Sequence, residues 1–197
     1  TEVRRQNRNR VYRQLTATWE PITKQDLATQ LSMSLPTLSQ NLNELAEMGL
    51  IDRSETTSST GGRRPRLIIP LADARFAIGA EVTSRDLRLV AVNLRQKTMA
   101  YQKCDLSFSN TEAYGGHLAR LIENFLDENH LDREKLLGVG VTLPGIIGPD
   151  QSTIEYAPTI GVHTPVPCRF TKAIPYPTRL DLSLIHISEP TRRTPIS

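Results

Sequence analysis

At 197 residues the chain has room for one ordinary domain or two small ones, and its 38% hydrophobic and 23% charged side chains exclude an unfolded, core-less polypeptide. A net charge of +3 is too weak by itself to point to nucleic acid. Two cysteines, Cys104 and Cys168, exclude a disulfide framework and read as reduced thiols of a cytoplasmic protein, and no apolar run is long enough to span a bilayer, so no membrane partner is expected.

The charge is unevenly spread. Residues 1–70 carry ten Lys or Arg against seven Asp or Glu, and residues 71–182 carry twelve against thirteen. Arg4, Arg5, Arg8, Arg10 and Arg13 crowd the start. On its own this run reads as a solvated helix face, and "TEVRRQNRNR" lacks the apolar centre of a signal peptide.

Val11, Leu15 and Trp19 recur every four residues and predict a first helix. Thr23 is a suitable N-cap for a short second helix that buries Leu27, Ala28 and Leu31. "SMS" is a three-residue turn. Ser34 caps a third helix with Pro36 in its first turn. Its apolar stripe is Leu35, Leu38, Leu42, Leu45 and Met48, and Gly49 is placed to end it in a left-handed conformation.

A short helix, a tight turn and a longer helix make a helix-turn-helix. With the stripe inward, Pro36, Thr37, Gln40, Asn43 and Glu44 point outward and Ser39 lies on the flank. Amides and hydroxyls match the donors and acceptors of base edges in the major groove. Ser34, Thr37, Ser39, Gln40 and Asn43 are therefore the candidate DNA contacts of this helix. "LIDRSET" and "LIIPL" then flank "TSSTGGRRPR" as two strands around a glycine loop, which predicts a wing. Gly61 and Gly62 permit close approach, Pro65 stiffens the exit, and Arg63, Arg64 and Arg66 suit phosphates or a narrow minor groove. The same stretch also suits a basic linker between domains.

"FAIGAEVT", "DLRLVAVNL" and "KTMAYQKCDL" are three strands with short joints, which predicts antiparallel hairpins. Leu118, Leu121, Ile122, Phe125 and Leu126 mark an amphipathic helix capped near Asn110 or Thr111. "KLLGVGVTLPGII" is a buried strand that runs into a Pro-Gly turn. Together these make an α/β layer.

"SLPTLSQNLNELAEMGLI", "GGRRP" and "GVGVTLPGII", in this order, resemble the ROK family of repressors, open reading frames and sugar kinases, over residues 4 to about 181. The resemblance implies an α+β and α/β chain. A winged helix-turn-helix would occupy residues 1–70, with the first part of an actin-like ATPase (ribonuclease-H-like) domain at 71–182. It also implies a sequence-specific repressor of sugar-metabolism genes. Its partners would be double-stranded operator DNA and a sugar or sugar phosphate effector, and it would be a homodimer when full length. The kinases' phosphate turn, Gly-x-Asp-x-Gly-Gly-Thr, aligns with Gly79 to Arg85, where Glu81 keeps the acid and Thr83 and Ser84 replace both glycines. No enzyme activity is expected from such a turn. Pro144 and Gly145 match the turn beside the family's sugar pocket. Thr159 stands where the kinases place a sugar-binding Asn, and His163 reads as a surface residue.

After Asp181 the family's Asn-Asp pair is missing. Residues 183–197 read as a non-native tail on a truncated frame. The family's zinc motif would lie beyond residue 182, so no cofactor is expected in this chain. The alternative implied by the resemblance is a ROK sugar kinase that phosphorylates hexoses with ATP and carries an extra N-terminal domain. A third reading is a thiol sensor at Cys104.

Overall fold

The computed structural model describes residues 2–55 and 66–182. The chain divides into two compact units between Arg75 and Phe76, with the turn Asn93–Gln96 grouped with the first. Sequence reading places the boundary at 70/71. It moves because the short 3-10 turn Ala72–Ala74 is tied to the first unit: Leu71 N–H donates to Leu50 O, and Arg75 Nη2 donates to Met48 O.

In the first unit α1 (Glu2–Thr18), β1 (Ile22–Thr23), α2 (Lys24–Leu31), α3 (Leu35–Glu47), β2 (Ile51–Glu55) and β3 (Arg66–Pro70) follow in order. The strands form an antiparallel sheet ordered β1-β3-β2. Its core is Val11, Leu15, Leu27, Leu31, Leu38, Leu42, Leu45, Ile51 and Ile68. The expected caps are present: Thr23 Oγ1 accepts Asp26 N–H, and Ser34 Oγ accepts Thr37 N–H. Gly49 is left-handed at φ +68°.

Two expectations change, and one burial was not foreseen. Trp19 does not continue α1. It follows the helix with φ +60° and its N–H on Leu15 O, since Pro21 disfavours a helical Glu20 and the helix must close before it. Leu35 and Met48, at the two ends of the α3 stripe, are exposed, because each lies beyond the reach of the three-helix core. Asn41 is buried instead, with its amide N–H on Thr37 O.

The second unit is a five-stranded sheet ordered β11-β7-β4-β5-β6, built from β4 (Phe76–Val82), β5 (Asp86–Asn93), β6 (Thr98–Asp105), β7 (Leu136–Leu143) and β11 (Thr178–Leu182). A smaller sheet holds β8 (Ile146–Ile147), β9 (Thr153–Tyr156) and β10 (Val166–Pro167). β5 and β6 are the antiparallel pair expected, while β7 runs parallel to both β4 and β11. A parallel neighbour needs a long crossover, and α4 (Glu112–Glu128) supplies it between β6 and β7. Thr111 is the α4 cap. Asn110 is used elsewhere, donating to Pro167 O and accepting Arg169 N–H. Alternate residues of β4, β5 and β7 join Leu118, Ile122, Phe125 and Leu126 of α4 in one core.

Candidate nucleic-acid interface

Helix α3 carries the outward polar face. Its hydroxyls are largely committed to the helix itself. Ser34 Oγ donates to Thr37 Oγ1 at 2.9 Å, and Ser39 Oγ donates to Leu35 O at 2.6 Å. Thr37 is half-buried, and its carbonyl takes the Asn41 amide. Gln40 and Asn43 are exposed. They present two amides, each able to donate and accept at one base edge. The structure thus brings all five α3 candidates onto one helix, but it distinguishes two that are open from three that also hold the first turns.

Glu44 departs from the outward reading. Its carboxylate is half-buried against α1, where Arg4 Nε donates to it and Arg8 Nη1 lies 3.0 Å from Oε2. Those hydrogen bonds, that from Arg4 first, hold the carboxyl below the usual carboxylate range. The basic run is likewise no uniform solvated face. Arg5 pairs with Glu2 at 3.0 Å, and Arg10 Nη2 donates to Leu31 O, a carbonyl left open by the end of α2. Sequence alone could not have found the Glu44 pairs, whose partners are 36 and 40 positions away.

β2 and β3 pair up to Glu55 opposite Arg66, and Arg66 is exposed at the start of β3. Arg63, Arg64, Gly61, Gly62 and Pro65 lie outside the described residues.

In the second unit the turn aligned with the kinase phosphate loop is already filled. Thr83 Oγ1 accepts Asp86 N–H at 3.0 Å and Arg85 N–H at 3.3 Å, and donates to Asp86 O. These are backbone donors that a glycine turn would offer to phosphate. Glu81 is paired with Arg88 at 3.1 Å. Asp86 is held by Lys103 at 3.0 Å, and that hydrogen bond is the main reason its carboxyl lies low. This turn does not fit a nucleotide triphosphate.

Pro144, Gly145 and Thr159 come together. Thr159 Oγ1 donates to Pro144 O at 3.3 Å, and a Cβ on Gly145 would stand 2.4 Å from Ala157 Cβ. His163 is exposed, edge-on to Tyr156 with ring centroids 6.2 Å apart. Tyr156 was not visible as a neighbour of this turn from the sequence, since only the β8–β9 pairing places it there.

Cys104 does not have the environment of a reactive thiol. Burial pushes it up, and Glu128 and Asp105 push it further. Cys168 is buried, with Sγ 3.7 Å from Thr171 Oγ1. Among the described residues no cluster of three or more His, Cys, Asp or Glu is arranged to hold a metal ion. Among them, too, no helix is long and apolar enough to cross a membrane.

A family model described as winged helix-turn-helix DNA-binding matches residues 6–52. The chain is 29% identical over 160 residues to the DNA-binding transcriptional dual regulator NagC of Escherichia coli K12, covering 81% of this chain and 39% of NagC. It is 23% identical over 134 residues to the xylose repressor of Bacillus subtilis, covering 68% of this chain and 35% of that protein. The chain therefore spans well under half the length of these curated relatives. A crystal structure of a ROK family transcriptional regulator, a homolog of the E. coli MLC protein, superposes with a TM-score of 0.65 at 20% identity, covering 92% of this chain and 46% of that one. At that identity the likeness establishes the fold, a winged helix-turn-helix followed by a mixed α/β lobe.

Proposed function

We infer that this chain is a ROK-family transcriptional regulator that binds operator DNA through α3 and a β2–β3 wing and represses genes of sugar metabolism. The observation that carries this reading is the Gln40–Asn43 amide face on the second helix of a helix-turn-helix, followed by an antiparallel β2–β3 pair whose connecting sequence runs into "GGRRPR". Names of similar proteins refer to N-acetylglucosamine and xylose, which supports a sugar or sugar phosphate as the effector. Pro144, Gly145 and Thr159 are the proposed effector contacts. In the full-length protein a dimer would set two recognition helices about one DNA turn apart, and effector binding would shift the balance between operator-competent and incompetent spacings.

Fluorescence anisotropy across a salt series tests the reading. The probes are a duplex selected from a random pool by the wild-type chain and an unselected duplex. Replacing Gln40 with Ala should cost about 1–3 kcal/mol on the selected duplex and little on the other. Arg63→Ala with Arg64→Ala should weaken both and flatten the salt dependence by about 0.9 log units for each phosphate no longer neutralised. If the double variant binds both duplexes as wild type does, with an unchanged slope, the wing is only a linker.

The kinase reading is disfavoured by Thr83, whose hydroxyl occupies the phosphate-turn amides. No phosphoryl transfer from ATP to a panel of hexoses is expected. Clear turnover would overturn the non-enzyme reading.

A further inference from the structure

Of the five arginines at the start of the chain, the structure separates two. Arg4 and Arg8 are one helical turn apart on α1, and both reach Glu44 of α3. Glu44 in turn lies one turn beyond Gln40, at the border between the outer face of α3, which carries the proposed base-reading amide, and the side that meets α1. We propose that Arg4 and Arg8 form a DNA phosphate clamp at the edge of the recognition helix, oriented by Glu44. This rests on the DNA-binding reading above and extends it to residues outside the helix-turn-helix and the wing.

The chemistry of the contacts supports the assignment. Glu44 uses only part of each guanidinium: Nε of Arg4 and Nη1 of Arg8. A guanidinium carries five N–H donors, so both Nη groups of Arg4, and Nε and Nη2 of Arg8, have donors left for an anion. Solvent reaches them, since the side chains of Arg4 and Arg8 are 53% and 28% exposed, whereas that of Glu44 is only 15% exposed. Together with Glu2 and Arg5 they line an open cleft of about 400 Å³, roomy enough for a phosphate group. Arg5 is balanced by Glu2, so the cleft keeps the surplus positive charge of Arg4 and Arg8 over Glu44. Glu44 acts as a positioning residue: it holds two long side chains beside the base-reading face and lowers the entropy lost on meeting the backbone. A carboxylate beside that face would repel phosphate if it stood alone, and the two arginines remove that penalty.

The test uses the whole chain and the two duplexes named above. Arg4→Ala with Arg8→Ala should weaken binding to the selected and unselected duplexes by similar factors. It should also flatten the dependence of log K on log salt by about 0.9 for each phosphate no longer neutralised. Arg4→Gln with Arg8→Gln keeps part of each aliphatic stem and a polar end but removes the charge, and it should flatten the slope equally. That separates phosphate binding from a packing role and covers an alanine pair that folds poorly. Arg120→Ala, on the exposed face of α4, is the control and should leave the slope unchanged. A wild-type slope in the Gln pair, while Gln40→Ala still loses its preference for the selected duplex, overturns the clamp and leaves the DNA-binding reading standing. Failure of the wild-type chain to bind either duplex at any salt overturns both.

Discussion

Replacing Leu42 with Ala should weaken binding to any DNA by destabilising the first unit, whereas Gln40→Ala, two residues earlier, should leave the fold intact. Leu42 is 2% exposed and lies in the core that α1, α2, α3, β2 and β3 share. Truncating a buried Leu to Ala costs about 2–5 kcal/mol, the transfer term plus the cavity left behind. Small domains are stable by only about 0.05–0.15 kcal/mol per residue, so such a loss removes much of what holds a unit of this size together. The single Trp of the chain, Trp19, sits in the first unit and is half-buried, so its emission follows this unit alone. In urea the Leu42→Ala transition should move to much lower denaturant with a similar slope. Gln40 is exposed, and its alanine variant should unfold at the wild-type midpoint. If Leu42→Ala kept the wild-type midpoint, the core assignment of α3 would be wrong. If Gln40→Ala lost stability, its effect on DNA could not be read as base recognition.

That contrast also marks what could be read before the structure. Signals that are local in sequence were legible: the caps Thr23, Ser34 and Thr111, the terminating Gly49, and the stripe Leu38, Leu42, Leu45. Each acts within one helical turn. Features set by distant partners were not. β1 is two residues long and exists only because Ile22 and Thr23 meet Ile68 and Leu67. Asn41 looks like a surface residue, yet it is buried because its position on α3 falls beside Leu38, Leu42 and Leu45. Glu44 appears as one more outward residue until Arg4 and Arg8 arrive from α1. In the second unit the alternation of apolar residues announces strands, but β7 pairs parallel with strands on both sides, and nothing within the strand itself encodes which neighbours it takes. For the candidate interface, the helix face was legible in composition. The division between open amides and committed hydroxyls was not, since Ser and Thr bond their own helix as readily as a base.

In α4, two adjacent glycines should respond to the same substitution with opposite signs. Gly in a helix interior is less favourable than Ala by about 0.5–1 kcal/mol, so a glycine kept there needs a reason. Gly116 shows none: a Cβ built on it meets nothing within 4 Å. Gly115 is buried, and a Cβ there would lie 2.2 Å from the carbonyl oxygen of Phe170 and 2.9 Å from its carbon. Those are backbone atoms, so no side-chain rotation relieves the clash. Phe170 is itself fully buried, edge-on to Phe108 and Tyr114 with ring centroids 5.7 and 5.4 Å away. To admit the methyl group, the segment through Phe170 must leave α4 and disturb that aromatic cluster. Gly115→Ala should therefore destabilise the second unit by about 3 kcal/mol, the upper end of what overpacking costs, while Gly116→Ala should stabilise it by about 0.5–1 kcal/mol. The loss should reach the proposed effector turn, because Phe170 shares its core with Ala157, against which Gly145 is packed. Urea unfolding followed by far-ultraviolet circular dichroism should show the second-unit transition shifted down in one variant and up in the other. The Trp19 transition of the first unit serves as an internal reference. Equal midpoints for the two variants would show that the close approach of Phe170 to α4 is not what keeps Gly115.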